Sequence, residues 1–145
     1  MVHRGFTLVE LLIVIALTGL LLGGAVVFAF SALPVLQLAA ERQAVEDVLR
    51  RAQERTVNGD QGGVWGVHLE SDRATLFQGT SYVERDLDVD EVRVFPSSVR
   101  ASGLSDVVFQ IRTGETAQTG TITLTVPDAG RSVSLEVNAN GLVSS

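Results

Sequence analysis

A chain of 145 residues has room for one small domain and an anchor, but not for two full domains. All eleven basic residues are arginine against seventeen acids, and the net charge of −6 argues against nucleic-acid binding and against peripheral attachment to anionic lipid. There is no cysteine, which excludes disulfides, thiol catalysis, thiolate metal sites and lipidation at cysteine.

The chain opens "MVHRGFTLVELLIVIALTGLLLGG". From Leu11 to Phe30 no residue is charged, and twenty residues of helix cover about 30 Å, the hydrocarbon thickness of a bilayer. His3 and Arg4 flank the run on its N-terminal side, so the positive-inside rule keeps that end cytoplasmic and sends the bulk of the chain across. A secretory signal would have a shorter apolar core, although Ala29-Phe30-Ser31 has the form of a cleavage site. A plain anchor fits the length. It leaves Glu10 unexplained, because a carboxyl deep in lipid costs about 2–3 kcal/mol, and less near the membrane edge.

A short basic leader ending in Gly5, then Phe6, then Glu10, then an unbroken apolar run resembles the signal of type IV pilins and type II secretion pseudopilins. The resemblance covers about 25 residues. It implies that a membrane-embedded prepilin peptidase cuts between Gly5 and Phe6 on the cytoplasmic side and N-methylates Phe6. It also implies assembly with other pilin or pseudopilin subunits and with an inner-membrane platform. In this family Glu10 would pair with the terminal amine of a neighbouring subunit and set the axial register. An intrachain pair stays open from the residues alone, since residues four apart share a helical face. Major pilins of the family carry a helix-breaking proline near the position of Val27 and a C-terminal cysteine pair. Here the proline is Pro34 and there is no cysteine, which points to a minor subunit.

Beyond Pro34 the pattern turns amphipathic. Leu38, Val45, Val48, Leu49 and Ala52 share one helical face, while Arg42, Glu46, Asp47, Arg50, Arg51 and Glu54 make a charged one. Glu46–Arg50 and Asp47–Arg51 are acid-before-base pairs at i,i+4, and Asn58-Gly59 supplies a stop. A helix running from Phe6 to Asn58 would be about 75–80 Å long.

Strands follow. "GVWGVHLE" and "ATLFQG" predict a hairpin, and "EVRVF" predicts a strand ending at Pro96. "VVFQIR" and "TITLTV" predict a second hairpin, and "SVSLEVN" and "LVSS" close the chain. Alternation in Thr121–Val126 and Val133–Val137 implies an antiparallel sheet covered on one side by the helix. The expected fold class is α+β and pilin-like: a long N-terminal helix packed on an antiparallel β-sheet domain. The expected divisions are a leader at 1–5, a transmembrane and filament-core helix at 6–33, an amphipathic helix at 34–58 and a β-rich domain at 59–145.

The long helix followed by "WGVHLESDRATLF", "TGTITLT" and "VSLEVNANGLV" is similar to the minor pseudopilin H and T-type minor pilin group. Members of that group are low-abundance subunits that start or cap a filament. T-type members implicated in DNA uptake carry a basic C-terminal segment. No basic residue follows Arg131 here, so nucleic acid is not an expected partner.

No catalytic set stands out. His68 alternates with Trp65, Val67 and Leu69 and faces away from them, and no nucleophile motif accompanies it. "ERDLDVDEVRV" holds Glu84, Asp86, Asp88, Asp90 and Glu91. Alternating carboxylates such as Asp86, Asp88 and Asp90 could gather around calcium. A solvated loop is the simpler account, the alternation also fits the solvent face of a strand entry, and there is no EF-hand glycine or final acid. Trp65 and Tyr82 are either contact aromatics or packing residues. No phosphate loop is present, and no cofactor is expected.

The expected function is therefore a non-enzymatic minor pilin or pseudopilin, a single-pass protein of the cytoplasmic membrane whose C-terminal domain is periplasmic or extracellular. Two alternatives stay open at this point: a membrane-anchored β-domain that binds a partner and never polymerises, and a secreted protein cut after Ser31.

Overall fold

Helix α1 spans Leu8–Asn58, with Thr7 immediately before it. The computed structural model describes residues 7–144, with the side chains of 24–32 and of Gln61 outside the description. The chain divides into two compact units, residues 1–35 and 36–145, and Pro34 lies inside the helix just ahead of the division. Helix α1 stops where Gly59 takes φ of 68°, a left-handed conformation that glycine adopts without steric cost.

In the second unit the predicted apolar stripe is buried: Leu38, Val45, Val48, Leu49 and Ala52 all sit in the core. Eight strands follow: β1 Trp65–Leu69, β2 Arg73–Gln78, β3 Asp86–Val94, β4 Arg100–Gly103, β5 Asp106–Val108, β6 Gly120–Val126, β7 Arg131–Val137 and β8 Val143–Ser144. They form two antiparallel four-stranded sheets, ordered β3-β2-β1-β5 and β4-β6-β7-β8. One core joins the helix stripe to Trp65, Val67 and Leu69 of β1, Leu76 of β2, Val107 of β5, Ile122 and Leu124 of β6, and Leu135 and Val137 of β7. The class is α+β and pilin-like.

Four expectations are corrected. The β-domain has two sheets rather than one. The predicted hairpin between "VVFQIR" and "TITLTV" does not form: β5 pairs with β1 in the first sheet, β6 lies between β4 and β7 in the second, and the Phe109–Thr116 bridge ties "VVFQIR" to the intervening loop rather than to "TITLTV". The Val108 N–H, on the side of β5 away from β1, donates to Gln118 Oε1 (3.2 Å), so a side chain takes the place of a strand. The acidic stretch from Asp86 is strand, not loop, and "EVRVF" is only its second half. Finally, Arg51 reaches across to Glu91 (3.2 Å) rather than to Asp47, because β3 lies beside that face of the helix, whereas Glu46–Arg50 forms as predicted (2.6 Å).

The helix end is fastened by polar groups that periodicity does not reveal. Thr56, fully buried, accepts the Trp65 N–H (2.9 Å) and donates to the Ala52 carbonyl (2.9 Å). Gln53 Nε2 donates to the carbonyls of Gly114 (2.8 Å) and Asn140 (3.1 Å), joining the helix to two loops. At this junction Gly141 has φ of 72°, and a β-carbon there would fall 2.3 Å from the Gly114 carbonyl oxygen. Gly141→Ala should therefore destabilise the second unit by about 1–3 kcal/mol through the strained backbone alone, more with the clash, read as a lowered thermal midpoint.

Candidate functional site

The N-terminal segment is the first candidate. Gly5 and Phe6, where cleavage and methylation are expected, lie outside the described residues. The first described link is a cap: the Glu10 N–H donates to Thr7 Oγ1 (3.2 Å), and the Leu11 N–H to the Thr7 carbonyl (3.2 Å). A hydroxyl at this position satisfies one of the helix's orphan donors and is worth about 1 kcal/mol. The signal was present in the sequence, since Thr7-x-x-Glu10 is the capping-box spacing. The same threonine therefore starts the helix and positions the acid one turn in, with its charge near the positive end of the helix dipole.

Glu10 is exposed, and no ion pair reaches it among the described residues. Around it the large apolar side chains from Leu8 to Leu22 are each 53–75% exposed, on every side of the helix. A helix apolar all round must be covered by lipid or by other helices. Among the described residues no helix is long and apolar enough to cross a membrane; the uncharged run Leu11–Phe30 continues into residues 24–32, whose side chains lie outside that set.

The second candidate is a stack on the outer face of the first sheet. His68 stacks on Tyr82 with ring centroids 3.7 Å apart, and the Arg85 guanidinium lies 3.8 Å from the Tyr82 centroid on the tyrosine ring. Asp106 Oδ1 lies 2.7 Å from His68 Nδ1, and Asp90 Oδ2 lies 2.8 Å from Arg85 Nε. Phe77, fully buried, meets the edge of Tyr82 (5.6 Å) and packs where Gly66 leaves room for its ring. The predicted outward orientation of His68 is what brings it under Tyr82. Ser105 donates its hydroxyl to Asp106 Oδ2 (2.8 Å), so the serine is committed to the carboxylate rather than to the imidazole, and no nucleophile relay is built.

The same geometry uses up other charges. Arg85 is pushed above its ordinary value, chiefly by the hydrogen bond to Asp90. At the β1–β2 turn, the hydrogen bonds from Arg73 hold the Asp72 carboxyl below the usual range. Asp86, Asp88 and Asp90 follow one another along β3: Asp86 Oδ1 accepts the Asp88 N–H (3.0 Å), and Asp90 belongs to Arg85. Among the described residues no three histidine, aspartate or glutamate side chains converge to hold a metal. Trp65 is a core residue, with its indole N–H on the Asp60 carbonyl (3.1 Å) and Arg55 over its ring.

What separates the candidates is the N-terminus. Residues 1–26 match the family model described as the prokaryotic N-terminal methylation motif. The chain carries a pilin-type methylation motif. That motif supports a type IV pilin-like protein, a membrane-anchored precursor processed by prepilin peptidase, and points to a structural subunit rather than an enzyme. It covers Gly5, Phe6 and Glu10 and ends within helix α1. No curated protein and no solved structure matches the chain.

Proposed function

We propose that this protein is a minor pilin or pseudopilin, a structural subunit that joins a membrane-rooted filament through its N-terminal helix. The observation that carries the reading is the methylation motif seated on a capped helix whose apolar residues are exposed on every side. Cleavage between Gly5 and Phe6 exposes an ammonium group about 6 Å along the axis from Glu10. In a bundle of like helices that amine neutralises the Glu10 of a neighbour, and a buried charge that gains a partner no longer opposes burial. Packing of the apolar stem supplies most of the association free energy, and the ion pair sets the register. The helix spans the cytoplasmic membrane before assembly, with its N-terminus inside. The two-sheet unit is the exposed cargo of the filament, in the manner of the minor pseudopilin H and T-type group.

Mass spectrometry of the mature chain tests the processing step. The expected terminus is Phe6 carrying one methyl group, about 14 Da above the cleaved mass, a figure that follows from replacing one N–H by N–CH3. A chain retaining residues 1–5 in active cells, or one beginning at Ala32, would overturn the reading.

A further inference from the structure

We propose that Asn58 is a site of spontaneous covalent modification at the end of helix α1, and that the fold protects the second Asn-Gly step, Asn140-Gly141, from the same reaction. Of the three asparagines in the sequence, only these two precede glycine. In such a step the backbone nitrogen that follows asparagine attacks the side-chain carbonyl carbon. The side-chain amide leaves as ammonia, and a succinimide ring closes between the two residues. Water then opens the ring at either carbonyl and gives aspartate or isoaspartate, so the net change is loss of ammonia and gain of water. No enzyme, metal or oxidant is required. Glycine favours the attack because no β-carbon shields its nitrogen.

The attack needs the peptide plane between the two residues to turn, and hydrogen bonds on that plane oppose it. At Asn58 little holds the plane. Asn58 is the last residue of helix α1, so its carbonyl is one of those the helix leaves without a partner. Among the described residues no hydrogen bond reaches that carbonyl or the side-chain amide. The Gly59 N–H makes one long bond, to the Thr56 carbonyl (3.3 Å). Both residues are exposed, and a β-carbon on Gly59 would meet nothing within 4 Å.

At Asn140 the same dipeptide is restrained. The Gly141 N–H donates to the Asn138 carbonyl (2.9 Å), and the Asn140 carbonyl accepts Gln53 Nε2 (3.1 Å), so both ends of the plane are held. The Asn140 N–H in turn donates to Asn138 Oδ1 (3.0 Å). Gly141 is buried, and a β-carbon there would fall 2.5 Å from Gln53 Nε2, so the plane has no room to swing. Two steps of equal intrinsic reactivity are thus separated by the free energy of local opening. Isoaspartate at position 58 would carry the chain through the former side chain and add one backbone atom between helix α1 and β1. Either product places a negative charge at the negative end of the helix dipole. The reaction uses only the second unit, and so stands or falls apart from the role given to Glu10.

Peptide mapping of the aged protein is the test. The full-length chain in detergent is held in warm, mildly alkaline buffer beside a reference unfolded in guanidinium chloride, until the reference has converted half of each site. Trypsin, cutting after arginine, releases the two steps in separate peptides, 56–73 and 132–145, and fragmentation tells Asn138 from Asn140. Each conversion raises the peptide mass by about 1 Da. The expected result is equal conversion of the two sites in the reference and, in the folded chain, conversion at Asn58 at least about tenfold above that at Asn140, as the extra hydrogen bonds imply. Gln53→Ala frees the Asn140 carbonyl, so it should raise conversion there about fivefold and leave Asn58 unchanged; the unaltered chain decides the proposal without it. Equal conversion of the two sites in the folded chain, faster conversion at Asn140, or an unmodified Asn58 beside a converted reference would each overturn the proposal. So would continued protection of Asn140 in a Gln53→Ala chain whose thermal midpoint shows it folded.

Discussion

Glu10→Leu should leave the chain in the membrane and remove it from the filament. The substitution makes an apolar helix more apolar, and on insertion scales it relieves about 2–3 kcal/mol at most, so membrane recovery after fractionation should equal or exceed that of the unaltered chain. What it deletes is the partner of a neighbour's terminal ammonium. A hydrogen bond to a charged group contributes about 1.5–3 kcal/mol, which corresponds to a ten- to hundred-fold loss of incorporation, measured in the sheared filament fraction. The Thr7 cap to the Glu10 N–H is a backbone contact and survives the change, so helix content should not fall. Incorporation at the original level would show that the acid does not set register, and would favour the alternative of an anchored, non-polymerising β-domain.

Trp65→Ala should be the most damaging single change in the second unit. The side chain is fully buried, its N–H bonds to Asp60, its backbone N–H is held by Thr56 of helix α1, and Arg55 covers its ring. Truncation of a buried aromatic costs about 3–5 kcal/mol, and for a unit of this size that lowers the midpoint by about 10 °C or more. Trp65→Phe keeps most of the ring and loses only the bond to Asp60, so it should cost about 1 kcal/mol. Circular dichroism reads both, since the chain's single tryptophan is the residue removed. Equal costs for the two variants would mean that the indole N–H, not the packed ring, holds the helix end.

The helix was legible because its signals are local. A run without charge, an i,i+3,i+4 apolar stripe and an Asn-Gly stop are each decided within a few residues, and Leu38, Val45, Val48, Leu49 and Ala52 lie where the spacing puts them. β6 and β7 were legible for the same reason, with alternating side chains set against a one-sided core. β4 was not: Arg100-Ala101-Ser102-Gly103 buries only Ala101, and four residues with one apolar position carry no period. Thr7 could have been found from its spacing to Glu10. The Tyr82 stack could not, because it joins β1 to a loop through a ring-on-ring contact that no spacing records.

Which strands pair is a different kind of question. "VVFQIR" and "TITLTV" have the composition and loop of a hairpin, and still they lie in different sheets. A strand in a hairpin competes with every other edge in the domain: β1 takes β5, β4 and β7 take both sides of β6, and the Gln118 side chain seals the remaining edge of β5. Likewise Arg51 leaves Asp47 for Glu91 once β3 lies within reach. The sequence by itself determined the capped apolar stem, the buried helical stripe, the α+β class and the placement of Gly5, Phe6 and Glu10 within one motif, all of them short-range patterns. The two-sheet division, the strand partners and the exposed acidic edge were decided only by the tertiary structure, because hydrogen-bond partners and burial depend on the summed competition among segments far apart in the chain.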